Sequence, residues 1–183
     1  NFPAPHFNKP FYDSNDHIAC ISQVTYDIVQ EVSPTVDSSY IPHAVDDSVF
    51  TPLDPEVVQE ARAKHKLDDK FVVFWNSRNA RRKQSGTLIW WFKDFLDKVG
   101  HDNAVLIMHV NHLGMTDGQV RFSRNKVSPQ DLNIFYNMAD ITACISDAEG
   151  FGLSTLESMT SGTPILVTLT GGLQDQVTDG ENW

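Results

Sequence analysis

The chain has 183 residues, of which 40% are hydrophobic and 21% charged, a balance that can bury a core. Its net charge of -10 argues against general nucleic-acid binding, and no apolar run approaches the roughly 20 residues that span a bilayer. The basic residues are concentrated: of the fourteen Lys and Arg all but Lys9 lie between Arg62 and Lys126, and Arg78, Arg81, Arg82 and Lys83 share one short loop, so a small anion is the expected ligand.

Residues 1–16 carry Pro, Asn and aromatic side chains without periodicity and are expected to be irregular. His17-Ile18-Ala19-Cys20-Ile21 reads as a buried strand. Ser22 then caps a helix reaching about Val32, with Val24, Ile28 and Val29 on one face. Residues 38–41 are a weak strand, and residues 42–52, with a proline at each end, read as a linker. Asp54-Pro55-Glu56 combines an N-cap, a proline at the first helical position and an acid in the first turn, so it opens a helix to about His65. The apolar run at residues 70–75 predicts a strand buried on both faces, followed by the basic loop at 76–85.

A helix is expected over 87–99, with Leu88, Trp91, Phe92, Phe95 and Leu96 facing inward. Strands follow at 104–110 and 120–122. Ser128-Pro129-Gln130-Asp131 caps a helix to Met138, a fourth strand covers 140–145, and a helix at 153–160 is stopped by Gly162 and Pro164. A fifth strand at 165–168 leads to Gly171-Gly172 and a short helix through Val177. Cys20 and Cys144 fall in buried strands and read as small apolar residues rather than a disulfide. No signal peptide is visible. The chain starts at Asn1 and stops at Trp183 just after Asp179-Gly180, and is expected to be a piece of a longer protein. The expected location is cytoplasmic, with a peripheral membrane position open to the full-length protein.

From residue 54 on, strand and helix alternate. That order predicts an α/β, Rossmann-like fold: a parallel sheet with helices on both faces and right-handed crossovers. Ligands of such sheets bind beyond the C-terminal ends of the strands. The basic loop, the turn after the fourth strand and the Gly171-Gly172 turn should all lie on that edge.

The turn after the fourth strand reads Ser146-Asp147-Ala148-Glu149-Gly150-Phe151-Gly152-Leu153-Ser154-Thr155-Leu156-Glu157. Gly150 and Gly152 leave the backbone uncovered, so phosphate oxygens can approach the N–H groups of Gly152, Leu153 and Ser154. The glycines by themselves favour an ordinary strand-to-helix turn, because no G-x-G-x-x-G or Walker pattern is present. Glu157 lies a turn into the helix, where a carboxylate can accept hydrogen bonds from a ribose diol. Glu149 precedes the helix and can accept sugar hydroxyls. Taken alone, each favours a plainer reading: Glu157 as a surface helix acid and Glu149 as a helix-dipole acid. Arg78 can bind a diphosphate bidentately and Lys83 can add a point charge, together neutralising a leaving diphosphate. The histidines show no metal spacing, so no metal and no cofactor are expected.

Taken together these residues resemble the retaining glycosyltransferases of GT-B fold, family four in the sequence classification. Ile41-Pro42-His43-Ala44-Val45-Asp46, with Phe50 and Pro52, is similar to the interdomain hinge that usually reads I-P-N-G-V-D and then F-x-P. Arg78 and Lys83 resemble the family's G-R and K-G loop. Glu149 to Glu157 matches its Glu, seven residues, Glu motif, and Gly162-Thr163-Pro164 with Gly171-Gly172 matches the turns that follow. The chain departs from the pattern at His43-Ala44, at Ser77 before the arginine and at Gln84 after the lysine.

The resemblance implies three regions: 1–41, the last strands and helix of the acceptor domain; 42–53, the hinge; and 54–183, a nucleotide-sugar-binding domain truncated at its end. It implies a nucleotide-diphosphate sugar as donor. Arg78 and Lys83 would bind the diphosphate, with backbone at Gly152 and Leu153, and Ser154 beside them. Glu157 would bind the ribose. Glu149, in the Gly150-Phe151-Gly152 turn, would bind the transferred sugar. The base would be held between Arg124 and Val127, at Asn125 and Val127, and the sugar would transfer with retention. The acceptor, whether glycan, lipid or small molecule, is not legible. Two alternatives stand beside this: another GT-B enzyme such as a nucleotide-sugar epimerase, and a non-catalytic nucleotide-binding module that self-associates through residues 1–36.

Overall fold

The computed structural model describes residues 5–110, 120–123 and 125–178. These form two compact units. One draws its described residues from 5–44, 148–152 and 169–178, and the other from 45–147 and 153–168.

The first unit starts with a 3-10 turn, Pro5–Asn8, and a short helix α1, Lys9–Asp13. The expectation of an irregular segment is corrected here. Pro10 stands in the first turn, and Lys9 Nζ pairs with Asp13 at 3.2 Å and donates to the Val32 carbonyl at 2.9 Å. A five-residue helix is too short to show apolar periodicity. Strand β1, His17–Cys20, helix α2, Gln23–Val32, and strand β2, Asp37–Tyr40, form a βαβ unit with parallel pairing from His17↔Asp37 to Cys20↔Tyr40. Ser22 caps α2 by accepting from the Thr25 amide. A second acceptor comes from far along the chain: Asp175, at the end of a 3-10 helix Gly171–Asp175, takes the Gln23 amide at 2.7 Å and the Tyr40 hydroxyl at 3.2 Å.

The second unit runs α3 (Pro55–Lys64), β3 (Phe71–Asn76), a 3-10 turn (Arg81–Lys83), α4 (Ser85–Val99), β4 (Ala104–His109), β5 (Val120–Ser123), α5 (Pro129–Met138), β6 (Ile141–Cys144), α6 (Leu153–Thr160) and β7 (Ile165–Val167). The five strands form one parallel sheet of order β5-β4-β3-β6-β7. Strand β3 is paired on both edges, with β4 from Phe71↔Ala104 to Asn76↔His109 and with β6 at Val73↔Ile141. Its apolar run follows from burial on both faces. Val73 and Trp75 pack with Leu88, Phe92 and Leu96 of α4, while Val72 and Phe74 pack with Tyr136 and Met138 of α5. The period of two sorts one run into two cores.

On α4 the buried side chains are Leu88, Phe92 and Leu96, with Phe95 packed partly against them. Trp91 is 49% exposed, which corrects its expected inward position. It lies at the margin of the helical stripe and borders an apolar cavity of about 240 Å³ with Phe71, Phe95, Ile141 and Leu166. Residues 41–54 form no helix or strand, yet Phe50 is buried and the Thr51 and Leu53 amides donate to Asn133 and Asn137 of α5. Among the described residues no helix is long and apolar enough to cross a membrane.

Arg62, near the end of α3, ties the entry of the sheet together. Its guanidinium donates to the carbonyls of Met138 (2.7 Å), Leu67 (3.1 Å) and Lys70 (2.5 Å) and meets Asp140 at 3.3 Å. Asp140 in turn accepts the Val72 amide at 2.7 Å. A planar fork of donors fits this set and an ammonium does not. Arg62→Met should therefore lower stability by about 2 kcal/mol, because several carbonyls lose a charged donor. Arg62→Lys should recover only part of that loss, as read from urea unfolding midpoints.

Candidate active site

Parallel register decides which residues meet. Asn76 pairs with His109 and His109 with Ser123, so the C-terminal ends of β3, β4 and β5 are level. The basic loop leaves β3 at this edge. The Asp147 amide donates to the Arg82 carbonyl at 2.8 Å, which joins this loop to the segment leaving β6. Gln84 strengthens the join by donating to Asp147 Oδ2 at 2.7 Å.

Gln84 has φ 54° and ψ 33°, the left-handed region, and stands where the resembling loops carry glycine. A side chain there is strained. Its amide also accepts the Thr87 hydroxyl at 2.7 Å, so two side-chain hydrogen bonds offset that strain and set the start of α4 at Ser85. In this loop Arg78, Arg81 and Arg82 are exposed, whereas Lys83 is buried.

Glu157 projects from α6 in the same unit. The Tyr136 hydroxyl donates to its Oε2 at 2.6 Å, and Asn76 Nδ2 donates to the Tyr136 oxygen at 2.8 Å. Burial pushes the Glu157 carboxyl above the usual glutamate value, and the Tyr136 bond pulls it back part of the way. Burial, reinforced by the Glu157 charge, pushes the Tyr136 phenol well up, so it stays a donor. Helix α6 is seated by polar side chains: Ser158 donates to Thr142 of β6 at 2.8 Å and Ser161 to Asn133 of α5 at 2.7 Å. Gly162, at φ 80°, ends the helix where a Cβ would stand 3.2 Å from Pro52 Cγ. At the helix start Leu153 is exposed and Ser154 half-buried.

Glu149, Gly150, Phe151 and Gly152 belong to the first unit. Glu149 is buried, and its carbonyl accepts the Gly172 amide at 3.0 Å. A Cβ on Gly172 would lie 2.3 Å from the Gly150 oxygen, and one on Gly171 would lie 1.9 Å from the Glu149 oxygen. The two glycines let backbone pass against backbone and hold the 149–151 turn. Phe151 is buried with its ring edge-on to His43, centroids 5.3 Å apart.

The second unit thus brings the Arg78 and Lys83 loop and Glu157 to its elements at one sheet edge. Asn125, exposed, and Val127, half-buried, lie in the segment entering α5, and Arg124 lies outside the described residues. No hydrogen bond joins Asn125 or Val127 to Glu157 among the described residues. Tyr136 and Asn76 were missed by sequence reading. The available signals were a polar residue closing an apolar strand and a tyrosine on the apolar face of its helix.

The family of glycosyl transferases group 1 matches residues 57–183. The chain belongs to this family. It is 31% identical over 160 residues to mannosylfructose-phosphate synthase of Agrobacterium fabrum, covering 78% of this chain and 35% of that protein. Sucrose-phosphate synthase of Thermosynechococcus elongatus superposes with a TM-score of 0.79 at 22% identity, over 97% of this chain and 46% of that one. The Anabaena HepE protein, crystallised with UDP-glucose, gives 0.77 at 18% identity over 96% and 52%. The group 1 chain therefore has a GT-B type fold and spans about a third to a half of the length of these three proteins.

Because burial raises Glu157 above its ordinary value of 4.5, the folded chain binds a proton more readily than the unfolded one. Stability falls as pH rises from that value through the folded pKa. Glu157→Gln keeps an acceptor for Tyr136 and removes the charge. Its melting temperature should equal or exceed the wild type at pH 7, and the gap should close below pH 4.5, as followed by calorimetry.

Proposed function

We propose that this chain is the donor-binding part of a retaining glycosyltransferase that moves a sugar from a nucleotide-diphosphate sugar to an acceptor hydroxyl. One observation carries the reading: in a member of this family, the loop bearing Arg78 follows β3, and the strand's last residue, Asn76, is linked through Tyr136 to the Glu157 carboxylate. Cations and a diol acceptor therefore stand on one framework. The UDP-glucose bound by the HepE protein supports a nucleotide sugar as the ligand class.

In this reading Arg78 grips the diphosphate bidentately and Lys83 adds its charge. The N–H groups of Gly152, Leu153 and Ser154 contribute as a helix start. Glu157 accepts from the ribose hydroxyls, Asn125 and Val127 flank the base, and Glu149 accepts from hydroxyls of the transferred sugar. The bond from sugar C1 to the diphosphate oxygen breaks, and its electron pair leaves with the diphosphate. The acceptor oxygen bonds to C1 from the same face and yields its proton to the departing diphosphate. Arg78 and Lys83 stabilise the charge as it develops, with no metal ion required. Residues 1–41 are then the end of an acceptor domain, 42–53 a hinge and 54–183 the donor domain. Both reactants need a two-domain cleft, so the chain alone should turn over poorly.

Titration with UDP-, GDP- and ADP-sugars by calorimetry tests this. One class should bind, and Arg78→Ala and Glu157→Ala should each weaken it by about tenfold or more, since each removes a charged hydrogen-bond partner. Added salt should weaken binding to the wild type more than to Arg78→Ala. No binding by any nucleotide sugar would sink the proposal, and binding indifferent to both substitutions would sink the residue assignments.

A further inference from the structure

We propose that Tyr136 is a positioning residue: oriented by Asn76, it holds one oxygen of Glu157 and leaves the other for the ligand's ribose, so that it sets selectivity for ribonucleotides over deoxyribonucleotides. This rests on the reading of Glu157 as the ribose acceptor.

The Tyr136 ring is held by packing and its backbone by a hydrogen bond. The residue is fully buried, its ring meets Phe74 edge-on at 5.1 Å and Phe50 at 6.1 Å, and its carbonyl accepts the Thr163 hydroxyl at 2.7 Å. A phenol has a single proton. Asn76 Nδ2 donates to the phenol oxygen, which directs that proton to Glu157 Oε2. Among the described residues Glu157 Oε1 has no hydrogen-bond partner. A free glutamate side chain samples many rotamers, and one anchored at Oε2 has already lost that freedom before the ligand arrives. The same bond opposes part of the upward push that burial gives the Glu157 carboxyl, and the ionised form offers acceptors only, which suits two hydroxyl donors. Asn76 is also two residues before Arg78, so ribose and diphosphate recognition share the end of one strand.

The test compares UDP, GDP and ADP with their 2′-deoxy and 3′-deoxy counterparts, titrated into wild type, Tyr136→Phe, Asn76→Ala and Glu157→Ala. Wild type should prefer the ribonucleotide of the class it binds, and Glu157→Ala should abolish the preference. Tyr136→Phe should reduce it by about tenfold, with the deoxy forms, which keep a single hydroxyl for Glu157, losing less affinity than the ribonucleotide. Asn76→Ala frees the phenol proton and should reduce it by roughly threefold, which keeps the proposal testable if Tyr136→Phe does not fold. The preference should also fade at a higher pH in Tyr136→Phe than in wild type on acidification, because the lost bond is the one that lowers the Glu157 pKa.

If Glu157→Ala abolishes the preference while Tyr136→Phe and Asn76→Ala retain it, Tyr136 is structural only and this proposal fails alone. If Glu157→Ala keeps the preference, or nothing binds, the underlying assignment of Glu157 fails and takes this proposal with it. Equal losses for ribo and deoxy forms in Tyr136→Phe would likewise overturn it.

Discussion

The second unit depends on the double pairing of β3. A strand bonded in parallel on both edges cannot be entered or left by a hairpin. Every connection to it is a crossover, and every crossover returns the chain to the same end of the sheet. The C-terminal ends of the strands then collect at one edge, with Asn76, His109 and Ser123 in register. Arg62 closes the opposite end, where Val72 and Asp140 meet. A stable entry edge leaves the exit edge available for chemistry.

At the exit edge, core and site are continuous. Tyr136 counts among the largest fully buried side chains, and its hydroxyl reaches the carboxylate of Glu157. Gln84 shows a similar economy, since one of the two bonds that offset its left-handed backbone also joins the loops after β3 and β6. In the first unit Gly171 and Gly172 act by having no side chain, which allows the backbone at 149–151 to lie against them.

Much of this was legible in the sequence because periodicity reports burial. The apolar run at 71–75, the Ser128-Pro129 cap and the Gly162 stop each produce their element through local chemistry. Reading failed where local signals are short or ambiguous. Residues 5–13 form two turns too brief to carry a period. Trp91 sits at the edge of a helical stripe, where sequence spacing cannot tell contact from exposure. The hydrogen bonds of Tyr136 join side chains 60 and 21 residues apart, beyond any local pattern.

The sequence alone determined the order of strands and helices from residue 17 on, the burial of both faces of β3, and the placing of the basic loop after a strand and of Glu157 in the helix after another. These follow from local propensity and from the charge of single residues. Only the tertiary structure decided the strand order β5-β4-β3-β6-β7, the division that puts Glu149 and Glu157 in different units, and the orientation of Glu157 by Tyr136 and Asn76. The physical reason is that these depend on which distant groups come within hydrogen-bonding distance. That is settled by packing the whole chain and not by any stretch of it.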